Sequence, residues 1–407
     1  MDKTTKRRNI IGIIVLLFAN SAAGGAEWCS SALANIAQTF PDVPYWVITL
    51  VNNIPNLCAV VFTLVAGLLV NRVIPLKTMI LIGIGLHATG GILPALAGEN
   101  SIAVMFIGRF AFGIGYGLMQ GIGISMSFKL VENENLRTHA MGWAVAAQYS
   151  MNMVAQVVVG RLCEIQWNYS FYIYLWSFIP FFIVLFLCQN FPVDKTDFSA
   201  IGGSESSLAK GSSLGESIRR LPGNVWVFTV IVGVYMLSYY PIFLLISPII
   251  VNRGMGTAVD VGTAMVFYSV ATIVGGVVFG ALEKIFKHRT LGLFLLGVAV
   301  SIIGLYFARS FAMVCIWLVL SGITSTGIIP GCINAFNGQV KKEDVFLATG
   351  ITESGVNLGA FLSTPFIAII EGFGGSADQA LIFSPIILII MAFITVRCCR
   401  KATDKVQ

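Results

Sequence analysis

The amino-acid sequence predicts an all-α membrane protein with twelve transmembrane helices, arranged as two six-helix bundles. Three observations lead to this prediction: the composition, the spacing of the apolar runs and the distribution of the basic residues. Hydrophobic residues make up 57% of the 407 residues and charged residues only 11%, whereas soluble domains average about 25% charged residues. No soluble core of this size accommodates so much apolar sequence.

The apolar runs follow one another with the length of membrane spans. A spanning helix needs roughly 20 apolar residues, and charges, prolines and glycines bound twelve such runs, called spans 1 to 12. They lie at about 9–37, 45–70, 76–97, 102–128, 139–161, 167–191, 224–251, 258–282, 290–308, 311–337, 345–370 and 378–397. The sequence therefore predicts an N-terminal bundle over 1–191, a polar cytoplasmic linker over 192–222 and a C-terminal bundle over 223–407.

The first run also has features of a signal peptide, because basic residues precede it and small residues fill 21–26. Its apolar character continues to about Ala37 with only Glu27 charged, so we expect a first helix that is retained. The eight cysteines lie mostly in or beside apolar runs and form no CxxC pair or His/Cys cluster. The sequence therefore predicts neither a metal site nor a disulfide framework.

The basic residues predict the orientation in the membrane. With the N-terminus in the cytoplasm, 21 of the 25 Lys and Arg residues lie on the cytoplasmic side, and only Arg161, Arg253 and Arg309 lie on the other. Another number of spans would destroy this asymmetry. It therefore supports twelve spans in the inner membrane with both termini cytoplasmic, and it explains the net charge of +6 without nucleic-acid binding.

The two halves of the sequence also echo each other. The stretch 139–142 at the start of span 5 parallels 347–350 at the start of span 11, and the glycines of span 4 parallel those of span 10. Six-helix halves repeated in this way are typical of a large transporter class with its binding site between the halves.

Three stretches carry a family resemblance. Residues 67–72, followed by Lys77, are similar to the loop signature between helices 2 and 3 of the major facilitator superfamily. Residues 109–117 resemble its helix 4 signature, and residues 137–142 resemble its approach to helix 5. The chain resembles this superfamily over essentially its whole length, and within it the bacterial drug and metabolite exporters.

The resemblance implies the superfamily's fold and secondary transport by alternating access. It also implies a cytoplasmic gating motif formed by Gly67, Asn71, Arg72 and Lys77. Two departures bear on mechanism: Asn71 replaces an acid that latches the cytoplasmic side in the family, and span 5 lacks the Gly-Pro ending of the proton-antiporter signature.

Three charged residues fall inside spans, where charge is costly and usually functional. Glu27 lies roughly 25 Å and Arg109 roughly 30 Å above the inner ends of their spans, at 1.5 Å per residue. We therefore expect them to form a charge pair used in proton coupling, with a purely structural bridge as the alternative. Glu353 lies roughly 12 Å into span 11. We expect it to be a second proton site or a counter-charge for a cationic solute, with a solvated carboxylate as the alternative.

Polar and aromatic residues within the spans are expected to line a central cavity. Gln148, Asn152 and Gln156 are spaced by four residues and share one helical face. Lipid offers no hydrogen-bond partners to their amides. Helix-to-helix contacts are the alternative, especially for the asparagines of span 2. The other cavity candidates are Trp28, Asn53, Asn56, Tyr116, Gln120, Tyr149, Tyr235, Tyr239, Tyr268 and Asn357. We expect His87 in span 3 to be a hydrogen-bonded packing residue, with a proton relay as the alternative.

Three functions remain open at this point. The first is a proton-linked exporter of amphipathic or aromatic compounds, and the second is a symporter or facilitator that imports a small organic ion. The third is a membrane enzyme or sensor, for which no catalytic set is visible. We expect no cofactor, a monomer, and a small solute together with protons or another coupling ion as partners. The glycines of span 4 follow no strand and precede no GKS or GKT, so they are not a nucleotide loop.

Overall fold

The computed structural model describes residues 3–70, 73–97, 101–131, 134–191, 193, 218–337, 339–340 and 344–404. The regular structure of these ranges is helical, apart from an isolated bridge between Val70 and Ile74. Nine helices in the described ranges are long and apolar enough to cross a membrane. A shorter apolar helix, Thr290–Tyr306, adds span 9. Span 1, which is interrupted, and span 5, which carries the amide stripe, complete the twelve, so the predicted fold class is confirmed.

The spans begin and end close to the predicted positions. Span 1 comprises Lys3–Ser21, Trp28–Ala32 and Leu33–Thr39. Spans 2 to 5 are Tyr45–Leu69, Leu76–Ala97, Ile102–Leu130 and Glu134–Ile165, and span 6 is Trp167–Ser177 with Phe178–Leu187. Spans 7 to 9 are Gly223–Tyr239 with Pro241–Asn252, Ala258–Phe286 and Thr290–Tyr306. Spans 10 to 12 are Phe311–Ser325 with Ile328–Asn337, Val345–Gly372 and Ala380–Asp404. Most of the predicted linker lies outside the described residues.

The helix packing repeats between the halves. In the first half, span 1 packs on spans 5 and 6, span 4 on spans 2 and 3, and span 3 on span 6. The second half shows the same pairs six spans later. Extensive contacts between the halves join span 2 to span 11 and span 5 to span 8, which are again equivalent pairs. The two halves are therefore related by a pseudo-twofold axis that passes between them.

Glycines set the closest approaches between spans. A Cβ built on Gly115 would lie 2.5 Å from the backbone nitrogen of His87, where spans 3 and 4 touch. A Cβ on Gly262 would lie 2.4 Å from the carbonyl oxygen of Gln156, where spans 5 and 8 join the two halves. Without a hydrophobic force between helices in lipid, such close packing is a main source of association.

Two spans break at equivalent places. Span 1 loses helical structure between Ser21 and Trp28, where Gly25 has a φ of +103° that favours glycine. Span 7 is interrupted more mildly at Tyr240, which keeps helical φ and ψ angles and precedes Pro241, whose ring nitrogen offers no hydrogen to the preceding turn. Broken helices at mid-membrane are typical of solute sites in transporters, because they expose backbone groups.

Candidate functional site

A cavity of about 870 Å³ lies between the two halves. Its open end is bordered by Gly67 and Leu68 of span 2, Ile218 before span 7, and Leu347 and Gly350 of span 11. At the other extreme, which we call the apex, the lining includes the polar residues Glu27, Asn56, Gln156 and Tyr240, next to the breaks in spans 1 and 7, together with the apolar residues Phe243, Met265 and Ala360. The volume falls within the usual range of small-molecule sites.

The opposite end of the bundle is closed by hydrogen bonds between the halves. Asn53 Nδ2 of span 2 donates to Ser363 Oγ at 3.0 Å and to Thr364 Oγ1 at 2.7 Å, and the hydroxyls of Thr49 and Thr364 lie 2.9 Å apart. The backbone N–H of Trp46 donates to a Glu371 carboxylate oxygen at 3.3 Å. Spans 2 and 11 are thus held together beyond the apex, and the cavity reaches solvent from one side.

Spans 1 and 7 close the same end. The hydroxyl of Ser247 donates to the carbonyl oxygen of Ser31 at 2.9 Å and accepts a hydrogen bond from the backbone N–H of Ala34 at 3.2 Å. The hydroxyl of Tyr45 donates to the carbonyl oxygen of Leu244. We refer to these contacts and those of spans 2 and 11 together as the closed end.

Most residues expected at the cavity lie on its wall. They are Glu27, Asn56, Tyr116, Gln120, Gln148, Tyr149, Asn152, Gln156, Tyr235, Tyr239, Tyr268, Glu353 and Asn357. The amides come mainly from the first half of the chain, and most of the tyrosines come from the second. Among the described lining residues, Glu27 and Glu353 carry the only charges, and Lys, Arg and His are absent.

Two of the expected cavity residues lie elsewhere. Asn53 is part of the closed end, because it sits one turn beyond Asn56 on the same face of span 2 and meets span 11. Trp28 is fully buried, and its ring stacks on that of Tyr174 with centroids 5.4 Å apart. The short helical turn at Trp28–Ala32 directs this indole into the first half, where its Nε1 donates to Asn152 Oδ1.

The expected ion pair between Glu27 and Arg109 is also not formed. The fully buried Arg109 guanidinium donates instead to Val51 O, to Ala26 O at 2.8 Å and to the Tyr174 hydroxyl at 2.9 Å. Val51 O is free for this bond because the residue four positions on is Pro55, which has no N–H. The guanidinium is therefore hydrogen-bonded by neutral oxygens, two of which lack an intrahelical partner because of Pro55 and the break in span 1. Through these bonds Arg109 links spans 1, 2, 4 and 6.

Four consecutive carbonyl groups at the break in span 1 are each held by a different span. Gly24 O accepts from His87 Nε2 at 2.8 Å and Gly25 O from the Tyr174 hydroxyl at 2.7 Å. Ala26 O accepts from Arg109 as described, and Glu27 O accepts from Gln156 Nε2 at 3.3 Å. We call these four side chains the clasp: His87, Arg109, Gln156 and Tyr174. Unpaired backbone groups are costly in a membrane, so the clasp stabilises the break and places the Glu27 carboxylate at the apex.

His87 belongs to this structural set, as its packing interpretation predicted. Its Nε2 must donate to Gly24 O, because a carbonyl oxygen only accepts. The other ring nitrogen, Nδ1, lies 2.9 Å from Ser177 Oγ and can accept from that hydroxyl. Both nitrogens are thus satisfied by a neutral ring, and His87 is fully buried away from the cavity lining.

The wall from the second half is aromatic. Tyr235 and Tyr239 stack with centroids 5.2 Å apart, as their spacing of four residues predicts. The Tyr239 hydroxyl donates to that of Tyr268 at 2.9 Å and accepts from Ser321 Oγ at 3.3 Å. Phe243 packs edge-on to Tyr268 at 5.4 Å. Aromatic rings therefore form most of this wall, and the hydroxyls of Tyr239 and Tyr268 are engaged in hydrogen bonds.

Glu353 lies on the span 11 wall beside a bridge between the halves. Asn357 Nδ2 donates to Gln120 Oε1 of span 4 at 3.2 Å and to Glu353 O at 3.0 Å. Glu353 and Glu27 therefore belong to opposite halves. Tyr116 and Tyr149 also line the cavity, and both lie within electrostatic range of the two acids.

Sequence reasoning missed several lining residues. Asn20 is a lone amide in span 1, and Tyr240 adjoins Pro241, so both carried a usable signal. Ser269, Thr272, Ser325 and Thr326 also line the cavity, but hydroxyls that bond within their own helix give no periodic pattern. Of the predicted gating motif, Gly67 borders the open end and Lys77 begins span 3, while Asn71 and Arg72 lie outside the described residues.

Comparison with protein families gives a match to the Major Facilitator Superfamily, in two stretches that cover residues 11–259 and 231–405. A comparison with curated protein sequences returns no match. Among solved structures, a mutant form of the nucleoside transporter NupG shares 10% identity with a TM-score of 0.75, over 95% of this chain and 99% of that one.

A bacterial homologue of the human lysosomal transporter Spinster, solved in an inward-facing and unoccupied conformation, shares 12% identity with a TM-score of 0.75, over 99% of both chains. An auto-inhibited peptide transporter of the POT family shares 13% identity with a TM-score of 0.68, over 96% of both chains. At these identities the likeness concerns the fold.

Proposed function

Because the chain belongs to the major facilitator superfamily and is therefore a membrane transporter rather than an enzyme, we propose that it carries a small cationic or neutral, partly aromatic solute in exchange for protons. The observation that carries this proposal is the charge of the cavity. Its described lining holds two carboxylates and no basic side chain. An anionic solute would face like charges in a confined space, where charges interact more strongly than in water.

The tyrosine wall supports an aromatic or cationic solute. Tyr235, Tyr239 and Tyr268 line the same cavity as the amides of span 5. A cation over such a ring gains about 0.5–2 kcal/mol, depending on desolvation. An amphipathic solute would place its apolar part on this wall and its polar part on the amides. The nucleoside and peptide transporters that share the fold carry other classes, so the fold alone does not select the solute.

Alternating access would follow from the pseudo-twofold packing. The halves contact each other mainly through spans 2 and 11 and through spans 5 and 8. Rocking about these contacts would separate the closed end and close the open end. We propose that the open end faces the cytoplasm, with both termini and the linker on that side, because the basic residues concentrate there. The structure then corresponds to an inward-facing state, like that of the Spinster homologue.

Protons are proposed as the coupling ion because both acids line the cavity and neither faces a basic lining residue. Arg109, Tyr116, Tyr149 and Tyr240 are the charged and titratable groups within electrostatic range of Glu27. A bound proton and a bound solute cation would compete for the same carboxylates. Such competition exchanges one for the other, which is the basis of proton-driven export.

Import by a symporter or facilitator is the second candidate. The absence of a Gly-Pro ending on span 5 favours it, because that ending marks proton antiporters in the family. The direction of proton movement separates the two. In proteoliposomes with an imposed pH gradient, an exporter moves solute against the proton flow and a symporter moves it with the proton flow.

A matched trio of probes tests the charge preference: 3-phenylpropylamine, 3-phenylpropanol and 3-phenylpropionate, which share one skeleton. Thermal shifts of the purified protein report binding, because a ligand stabilises the state that it binds. We expect the amine to stabilise most and the carboxylate not at all. A Glu27→Gln/Glu353→Gln double variant should lose the preference for the amine. Strongest stabilisation by the carboxylate would refute the proposal.

A further inference from the structure

The apex of the cavity brings together polar groups from four spans and both halves. Glu27 comes from span 1, Asn56 from span 2, Gln156 from span 5 and Tyr240 from span 7. The three uncharged residues are nearly fully buried, with 3%, 2% and 5% of their surface exposed. Glu27 and Tyr240 lie within electrostatic range of each other. This is a built polar recess at the innermost point of a solute cavity.

Two oxygen atoms in this recess lack hydrogen-bond partners. Gln156 Nε2 must face Glu27 O, which only accepts, so Gln156 Oε1 is turned away from that bond and makes no hydrogen bond. The Tyr240 hydroxyl likewise makes no hydrogen bond of ordinary length, with the Asn56 amide as its polar neighbour. Asn56 Nδ2 already donates to Asn53 Oδ1 at 2.9 Å. Buried polar atoms are nearly always paired in native proteins, so the Gln156 oxygen indicates a missing donor and the Tyr240 hydroxyl indicates a missing partner.

A single donor that paired with both oxygens and with the Glu27 carboxylate would carry several N–H groups and a positive charge. The recess offers a carboxylate, amide oxygens and a phenol oxygen, all of which accept. We propose that the apex is a subsite for a protonated amino group with free N–H bonds, in which Glu27 is the counter-charge and Gln156 Oε1 and the Tyr240 oxygen accept hydrogen bonds. This inference rests on the proposed function, and it narrows the solute from any cation to an amine that bears N–H. A quaternary ammonium has no N–H and leaves both oxygens unpaired.

The test compares two cations on one skeleton. 3-Phenylpropylamine and its N,N,N-trimethyl derivative are titrated calorimetrically into the full-length protein in lipid nanodiscs at pH 7. Hydrogen bonds to a charged group discriminate by roughly tenfold or more, so we expect the primary amine to bind at least about tenfold more tightly. Glu27→Gln should reduce the preference most, because it removes the hydrogen bonds to a charged acceptor. Glu353→Gln, which also removes one cavity carboxylate, should weaken both cations and keep the preference.

Tyr240→Phe provides a second variant that leaves the clasp and the charge intact. It should reduce the preference several-fold through weaker binding of the primary amine, with binding of the quaternary cation unchanged. Equal affinity of the two cations for the unmodified protein would overturn the subsite and leave the proposed cation transport standing. An undiminished preference in Glu27→Gln would do the same. If neither cation binds while 3-phenylpropionate does, the proposed function fails and the subsite fails with it.

Discussion

Removal of the Thr364 hydroxyl should shift the transporter away from the state seen here. Thr364 Oγ1 accepts from Asn53 Nδ2 at 2.7 Å and shares a second hydrogen bond with Thr49 Oγ1 at 2.9 Å. Thr364→Val preserves the shape of the side chain and removes both bonds. Each contributes roughly 0.5–1.5 kcal/mol net, so the closed end loses about 1–3 kcal/mol. That corresponds to a change of roughly 5- to 150-fold in the ratio of the two states.

Hydrogen exchange measured by mass spectrometry reports this shift. Peptides that cover 44–53 and 360–372 should exchange faster in Thr364→Val, because those backbone segments meet only when the end is closed. Thr364→Ser should restore slow exchange, since it keeps the hydroxyl. Thr395→Val is the matched control: Thr395 is fully buried in span 12, and its hydroxyl makes no hydrogen bond. Equal exchange in Thr364→Val and the unmodified protein, or the same acceleration in Thr395→Val, would refute the reasoning.

Three further outcomes are expected. Arg109→Lys should lower the free energy of unfolding by about 1.5–3 kcal/mol in denaturant titrations, since one ammonium does not reach all three oxygens that the guanidinium holds; unchanged stability would contradict the bridging role. His87→Phe should cost about 1–3 kcal/mol by leaving Gly24 O unpaired, whereas His87→Gln retains a donor and should cost less; equal costs would contradict the clasp. Glu27→Gln should abolish the proton movement that accompanies solute in proteoliposomes, read with a pH-sensitive dye, and persistent coupling would exclude Glu27 as the proton site.

Much of the cavity was predictable because lipid imposes a simple requirement. Gln148, Asn152 and Gln156 repeat every four residues, and a hydrocarbon environment offers their amides no partner. A single stripe of this kind must face protein or water, and all three residues line the cavity. The same argument predicted the architecture, because the length of an apolar run and the sidedness of basic residues depend on the bilayer alone.

The partners of Arg109 were not predictable in the same way. Residue counts along a span give depth, and Arg109 does reach the break in span 1, where it binds Ala26 O next to Glu27. They do not tell which acceptors lie closer to the guanidinium. The break leaves Ala26 O, and Pro55 leaves Val51 O, without an intrahelical hydrogen bond, so Arg109 binds these backbone oxygens instead of the carboxylate. A sequence shows the glycines and the proline but not which carbonyl oxygens remain available.

Asn53 and Asn56 illustrate a second limit. They share one face of span 2, but the point where the two halves meet separates them, so one closes the bundle and the other lines the cavity. That point depends on how far the halves are tilted against each other. The tilt is a property of the conformational state, and no periodicity within a single helix encodes it.

The position of the two acids has a mechanical consequence. The clasp consists only of side chains from the first half, so Glu27 must move as a rigid part of that half, while Glu353 moves with the other. Any rocking motion therefore changes the separation of the two carboxyl groups. A solute that contacts both of them would fit only some orientations of the halves, so occupancy of the cavity would be coupled to conformation.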